Sequence, residues 1–357
     1  MADSGGHWKT LVEAQKLTQS TKIPGVIEED IKRNPPLERM PVAQAAGTGL
    51  KIEWLREKTT TEAAATEVDI GGQLSWSDDV DYDEVEATLR VIYIQRKLSN
   101  YVEGIYGTYN NYKAQLLLEC EKGLKRKIND RLIYADTTYG GSPTQMDGLH
   151  ALAAERGTPN SDTVRTGSDL NFDQEDEGLS LWSLRTVLNA MKYGTDEIWV
   201  PDVLGIRFDA AYEEKGFTGL ASGTAGSLSL LTRGYSDIGK PILFFAGVPI
   251  VRTDYLVAEE SATGTGASSD IRAKYSSDST YSIFCLKFGN VMEKNPGIAY
   301  GYGGTEGQGD LYKLVPFPVL EDYDAGGLRL VNYGTVLLGS TLCLARIHDV
   351  DDSAIVV

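Results

Sequence analysis

Over residues 49–56 the apolar Leu50, Ile52 and Trp54 alternate with Lys51 and Glu53, and Arg56 flanks them. That period of two predicts a half-buried strand. The next stretch, 57–72, is small and polar and predicts the tip of a long hairpin. Extended chain resumes at 73–76, passes an acidic patch (Asp78, Asp79, Asp81, Asp83, Glu84) and enters 85–94, where Val85, Ala87, Leu89, Val91 and Tyr93 alternate again. A hairpin this long with so little to bury is not stable alone and needs a partner surface.

Residues 101–135 follow a different rhythm. Ile105, Tyr109, Tyr112, Leu116, Cys120, Leu124, Ile128 and Leu132 recur at steps of three and four, which predicts one long amphipathic helix. Its opposite face carries Lys113, Glu119, Glu121, Lys122, Lys125, Arg126 and Lys127, and Gly140, Gly141 and Pro143 end the pattern. A second helix is predicted over 180–193, with Ser180 as N-cap, Leu181, Leu184, Leu188 and Met191 as its stripe and Gly194 as its stop. A short buried strand at 198–200 ends at Pro201, and a third helix runs from about Asp202 to about Tyr212.

From 216 onwards Gly, Ser and Thr rise. Strands are predicted at 241–245, 248–252, 281–288, 312–319 and 328–338, separated by glycine-rich loops at 218–227, 261–270 and 300–309. The nearly continuous apolar run 335–347 predicts one central strand covered on both faces. Residues 1–45, interrupted by Pro24, Pro35, Pro36 and Pro41, predict an arm that runs extended over another surface, such as a second subunit.

Composition narrows the function classes. The 357 residues carry 34 Lys plus Arg against 51 Asp plus Glu, a formal charge of -17. Whole-surface nucleic-acid binding and polybasic membrane binding both need the opposite sign. No apolar run reaches the roughly 20 residues a bilayer-spanning helix requires, and 1–17 lacks the apolar core of a signal peptide, so a soluble protein made in a cytoplasm is expected. Cys120, Cys285 and Cys343 are too far apart for a disulfide framework or a zinc site and are expected to be small buried hydrophobes.

The chemistry-bearing motifs are weak. Residues 234–241 have the glycine spacing and lysine of a phosphate-binding loop, but Pro241 stands where Ser or Thr would ligate magnesium, so a turn before a strand is expected. His150 lies in an alanine-rich stretch and is expected near the surface or in a satisfied, partly buried role. His348 adjoins Asp349, Asp351 and Asp352, an acidic cluster expected to be solvated rather than metal-binding. The run 173–177 is expected to be a solvated loop. No catalytic, cofactor or metal residues are assigned, and the chain is not expected to be an enzyme. Lys122, Lys125, Arg126, Lys127 and Arg131 form the one basic patch, open to three roles: facing nucleic acid, pairing with the acidic 78–84 segment of a neighbour, or a solvated helix face.

In this order (arm, long hairpin, long helix, glycine-rich strand region, final apolar strands) the chain resembles the major capsid proteins of tailed bacteriophages, with the Hong Kong 97 fold. The strand segment 247–254 and the helix–strand pair 180–193 and 198–201 resemble that family's local pattern. The resemblance implies an α+β capsid fold with an N-terminal arm at 1–45, an extended loop at 46–88 and a peripheral domain at 89–205 that holds the spine helix 101–135. An axial domain at 206–322 and return strands to the peripheral domain at 323–357 complete it. It implies a structural subunit that assembles with itself into pentamers and hexamers of an icosahedral or prolate phage head around double-stranded DNA. Portal, scaffolding and decoration proteins are the implied partners, the implied location is the virion after assembly in a host cytoplasm, and no cofactor is implied. The alternatives are an encapsulin-like compartment shell and a soluble enzyme with an unrecognised site. Residues Lys51, Trp54, Arg56, Lys58, Asp78, Asp79, Asp81, Lys122, Lys125, Arg126 and Arg131 are the expected intersubunit contacts.

Overall fold

A computed structural model of the chain describes residues 31–45, 49–57, 67–74, 82–101, 112–137, 144–154, 170–221, 231–235, 241–259, 280–303, 311–320 and 324–356. A one-turn helix α1 (Pro36–Arg39) precedes β1 (Val42–Ala45), the hairpin strands β2 (Lys51–Glu57) and β3 (Tyr82–Thr88), and β4 (Arg90–Ser99). The long helix α2 (Tyr112–Tyr134) and short α3 (Leu149–Ala154) follow, then β5 (Asn171–Ser180), α4 (Leu181–Ala190), β6 (Glu197–Pro201) and α5 (Asp202–Ala221). The rest is strand: β7 (Leu231–Tyr235), β8 (Pro241–Phe245), β9 (Val248–Thr253), β10 (Tyr281–Leu286), β11 (Ile298–Gly303), β12 (Lys313–Phe317), β13 (Ala325–Leu338) and β14 (Leu344–Val356).

From Leu116 on, the helical stripe does what its spacing dictates; Ile105 and Tyr109 lie outside the described residues. Cys120, Leu124, Ile128 and Leu132 of α2 are essentially inaccessible, the leucines and the isoleucine each contributing on the order of 1.5–3 kcal/mol by burial. They share a core with Ile92 and Ile94 of β4 and with Leu330, Val336 and Leu338 of β13. Strand β13 is the axis of this first sheet. Strand β4 pairs along it from Ala325 to Gly334, while β12 and then β11 pair with it at 327–331 and 334–338. At the edge, β1 lies parallel to β11, Val42 opposite Tyr300.

The second sheet has the order β5-β14-β10-β6-β9-β8-β7. Alternation divides its side chains. Ile198, Val200, Ile250, Ile283, Cys285, Ala345 and Ile347 pack against α4 and α5. Their neighbours Trp199, Val251, Phe284, Leu286 and Leu344 point to the other face and join the core of α2. Strand β14 lies inside this sheet, with β5 parallel on one side and β10 antiparallel on the other. Ser180 caps α4 as expected, its Oγ accepting from Trp182 N. The two-residue turn of β8–β9 puts Ala246 and Gly247 at φ 51° and 86°, the left-handed pair that a tight hairpin needs.

Two expectations change. The apolar run 335–347 is two strands, not one: it breaks at Gly339 and Ser340, a 3-10 turn over Thr341–Cys343 follows, and β13 and β14 belong to different sheets. The acidic run 173–177 is not a solvated loop but part of β5, held in the sheet by pairing with β14. Strands β5 to β10 and β14 make up the second sheet, while β1, β4, β11, β12 and β13 make up the first, so the two sheets interleave along the chain.

The described part of the arm, 31–45, is fastened to its own chain. Leu37 and Met40 are buried against α2, and Leu37 N donates to Asn129 Oδ1 at 2.7 Å. Asn34 donates to Arg252 O, Arg33 meets Asp202 (3.0 Å) and Asp254 (3.4 Å), and Arg39 meets Glu197 (2.6 Å). Apolar anchors and these polar pairs thus seat 31–45 on the surface of its own chain. Residues 1–30 lie outside the described part.

Candidate intersubunit surfaces and a buried polar cluster

The hairpin pairs in a regular antiparallel register from Lys51↔Thr88 to Glu57↔Tyr82. Alternation turns Ile52, Trp54 and Ala87 onto a small cluster of Ala43, Ala299, Leu337 and Val291. On the other face Lys51 Nζ meets Glu86 Oε2 at 2.5 Å, an exposed diagonal pair worth little in water. Arg56 folds back over the Trp54 ring, 5.7 Å from its centroid, and donates to the carbonyls of Gly339 (Nε, 3.0 Å) and Leu338 (Nη2, 2.5 Å). Leu50, Leu55, Ile70, Leu74 and Tyr82 have no such seat; Ile70 and Leu74 are among the most exposed apolar side chains of the described residues. A monomer rarely leaves so many large apolar side chains in water along one projection.

Lys122, Lys125 and Arg126 come together on α2. They line a cleft of about 460 Å³ whose other wall is the arm (Lys32, Pro35, Leu37) with Tyr255 and Tyr312. Lys125 is also paired within its helix to Glu121 at 2.7 Å. Arg131 does not join the cleft: it donates to Gln145 at 2.8 Å. Lys58, Asp78, Asp79 and Asp81 lie outside the described residues. Of the expected contacts, then, Lys51, Trp54 and Arg56 share the hairpin stem and Lys122, Lys125 and Arg126 share the cleft. The exposed Ile70 and Leu74 were not among them; their signal was the pair Val68 and Ile70 in a tip otherwise small and polar, with Leu74 just beyond it.

A polar cluster between β14, β10 and α3 was also missed. Arg346 and Glu259 are fully buried and paired at 2.8 Å. Ser282 donates to Glu259 Oε1 and accepts from Arg346 Nε and Nη2 at 3.1 and 3.0 Å. Burial pushes the Glu259 carboxyl up, but Arg346, His150 and Ser282 outweigh it and hold it at about 2. His150 Nε2 stands 3.7 Å from Glu259 Oε1, and burial lowers its pKa. His348 and Asp349, expected in water, are buried; Thr280 donates to Asp349 Oδ1 at 2.8 Å. Burial first, then Arg346, drives the His348 pKa down to about 3, so it is neutral at pH 7. The acidic cluster is split: Asp352 leaves it to pair with Arg207 on α5 at 2.8 Å. Among the described residues, Asp173, His348 and Asp349 are the group that could offer three ligand atoms to a cation, all within 4.8 Å of one another. Ser282 is buried between these two charges, and the cluster ties β10 and β14 to the segment that carries Glu259.

No protein-family profile matches the chain, and no curated protein matches it in sequence. Solved structures do match, along nearly its whole length. An encapsulin complex from Synechococcus elongatus PCC 7942 is 14% identical over 97% of both chains, with a TM-score of 0.61. The capsid of cyanophage P-SCSP1u is 10% identical over 93% of both, with a TM-score of 0.57. The capsid of cyanophage A-1(L) is 13% identical over 94% of this chain and 98% of its own, also at 0.57. Identities this low speak to the fold alone.

Proposed function

We propose that this chain, which has the Hong Kong 97-type α+β capsid fold, is a structural subunit of a closed protein shell. The shell is a phage head of pentamers and hexamers that encloses double-stranded DNA. The observation that carries the reading is the hairpin: a long two-stranded projection whose inner face has a small apolar seat, while Leu50, Leu55, Ile70, Leu74 and Tyr82 are left in water. Such a surface finds its apolar contacts in other copies of the chain, as a closed symmetric assembly requires. The basic cleft of Lys122, Lys125 and Arg126 is the second contact surface, suited to an acidic segment of a neighbour. A net charge of -17 suits a wall that encloses DNA without gripping it. Portal, scaffolding and decoration proteins are the further partners of such a shell, and the role is not enzymatic.

Negative-stain microscopy of the expressed chain tests this: the expected result is closed particles. Ile70→Asp combined with Leu74→Asp leaves the subunit folded but abolishes the particles. Normal particles from that variant, or a small oligomer from the wild type, refute the reading. The likeness to an encapsulin over 97% of both chains supports a second reading, a compartment that holds protein cargo. Nuclease-protected DNA in purified particles favours the first; its absence together with a co-purifying protein favours the second.

A further inference from the structure

The two sheets are joined by crossings that run side by side. Residues 287–297 lead from β10 to β11, and 339–343 lead from β13 to β14. They are tied together by Lys287 N to Cys343 O (3.0 Å) and Gly339 N to Gly297 O (2.8 Å). Asp196 fastens the second sheet to this crossing, taking Lys287 Nζ at 2.7 Å and Phe288 N at 2.8 Å. On the side of the first sheet the fastening comes from the hairpin. Strand β4 stops pairing with β13 at Gly334, and beyond that point Arg56 occupies the carbonyls of Leu338 and Gly339.

The rest of the hairpin's attachment is slight. Its apolar seat is Ile52, Trp54 and Ala87 on a cluster that includes two alanines. Its backbone continues into β4 at the buried Leu89, whose N–H bonds Leu50 O at 2.9 Å, so the base can pivot there without losing the seven registered pairs of the stem. Both hydrogen bonds and the contact over Trp54 belong to one side chain, so one change of rotamer breaks them together.

We propose that Arg56 is a latch that sets the tilt of the hairpin by holding it to the crossing between the two sheets. Latched, the hairpin is held against the end of β13 and moves with the crossing. Released, it swings about Leu89 as a paired arm while both cores stay intact. The inference rests on the geometry of one chain and not on shell assembly, so it stands or falls independently of the proposed function.

Pulsed dipolar spectroscopy on the full chain tests it, with spin labels at Asp69→Cys in the hairpin and Arg185→Cys on the exposed face of α4. Labelled chain is diluted with unlabelled chain so that only intrachain distances count. The wild-type background gives one narrow distance distribution. Arg56→Ala broadens or shifts it while the near-ultraviolet circular dichroism of the cores is unchanged. Lys51→Ala, which breaks the exposed Lys51–Glu86 pair in the same stem, leaves it narrow. An unchanged distribution in Arg56→Ala, a wild-type distribution as broad as the variant's, or equal broadening by Lys51→Ala each overturns the latch. Should Arg56→Ala not fold, Arg56→Lys takes its place: it keeps the charge and loses the fork that reaches both carbonyls, and the same outcomes apply.

Discussion

Replacing Glu259 by Gln isolates the energetics of the buried charge pair. The substitution keeps the size and shape of the side chain and removes only the charge facing Arg346, whose guanidinium is 1% exposed. The amide oxygen of the new side chain and Ser282 Oγ can still accept from the guanidinium, but neutral acceptors do not compensate a buried cation. Leaving one member of a buried pair uncompensated costs about 3–5 kcal/mol. Ser282→Ala removes hydrogen bonds to charged groups but leaves the pair, and costs about 1.5–3 kcal/mol. The double variant Glu259→Gln with Arg346→Met removes both charges, so it is expected to be more stable than Glu259→Gln alone. The assay is urea unfolding of the monomeric chain at pH 7, followed by tryptophan fluorescence and treated as a double-mutant cycle. A cost below about 1 kcal/mol for Glu259→Gln, or simple additivity in the double variant, refutes the claim that this pair is a coupled, desolvated unit.

Two further outcomes follow from the same core. The His348 pKa is lowered in the folded state, so its contribution is fully present above its unfolded pKa near 6.5 and is lost as pH falls from there towards about 3. By linkage this amounts to roughly 4–5 kcal/mol across the window. The urea midpoint should fall steadily below pH 6.5 in the wild type and flatten in His348→Phe; a midpoint constant between pH 6.5 and 4 contradicts it. Leu124→Ala on α2 should cost about 2–5 kcal/mol with an unchanged denaturant m-value, because the side chain is 1% exposed and a cavity replaces it. A cost under 1 kcal/mol would mean that the spine helix is not the anchor of the first core.

Much of this architecture was legible where one physical signal dominates. The steps of three and four through Cys120, Leu124, Ile128 and Leu132 placed the long helix and its buried face, and Ser180 placed the start of α4. Where the signal came from distant pairing, local pattern misled. The stretch from Thr335 to Ile347 is apolar throughout because both of its halves are buried, and only Gly339 and Ser340 marked the change of sheet. The run from Asp173 to Glu177 looked solvated, yet β14 lies beside it and draws it into a strand. His348 and Asp349 looked like a hydrated tail because nothing near them in sequence reveals that Thr280 and Glu259, some 70 to 90 positions earlier, converge on Asp349 and Arg346 in the same interior. Of the candidate contacts, the hairpin stem and the basic cleft were named from charge and alternation. The role of Arg56 was hidden because its acceptors are backbone carbonyls some 280 positions away.

The interleaving of the sheets bears on how the subunit is made. Strand β1 closes on β11 only after residues 298–303 exist, and β5 and β10 meet only through β14. Each pairing joins parts of the chain separated by many residues, so loop-closure entropy is met before the contacts form and folding is slow. A chain still leaving the ribosome holds β5, β6 and β10 with an open place where β14 belongs. Neither the buried Arg346–Glu259 pair nor the crossing that Arg56 grips exists until β14 and its lead-in have been synthesised. The hairpin stem that Arg56 fixes to Leu338 and Gly339 is therefore presented in its final geometry only by chains that have been translated past that crossing, and a prematurely truncated product lacks the scaffold on which to display it.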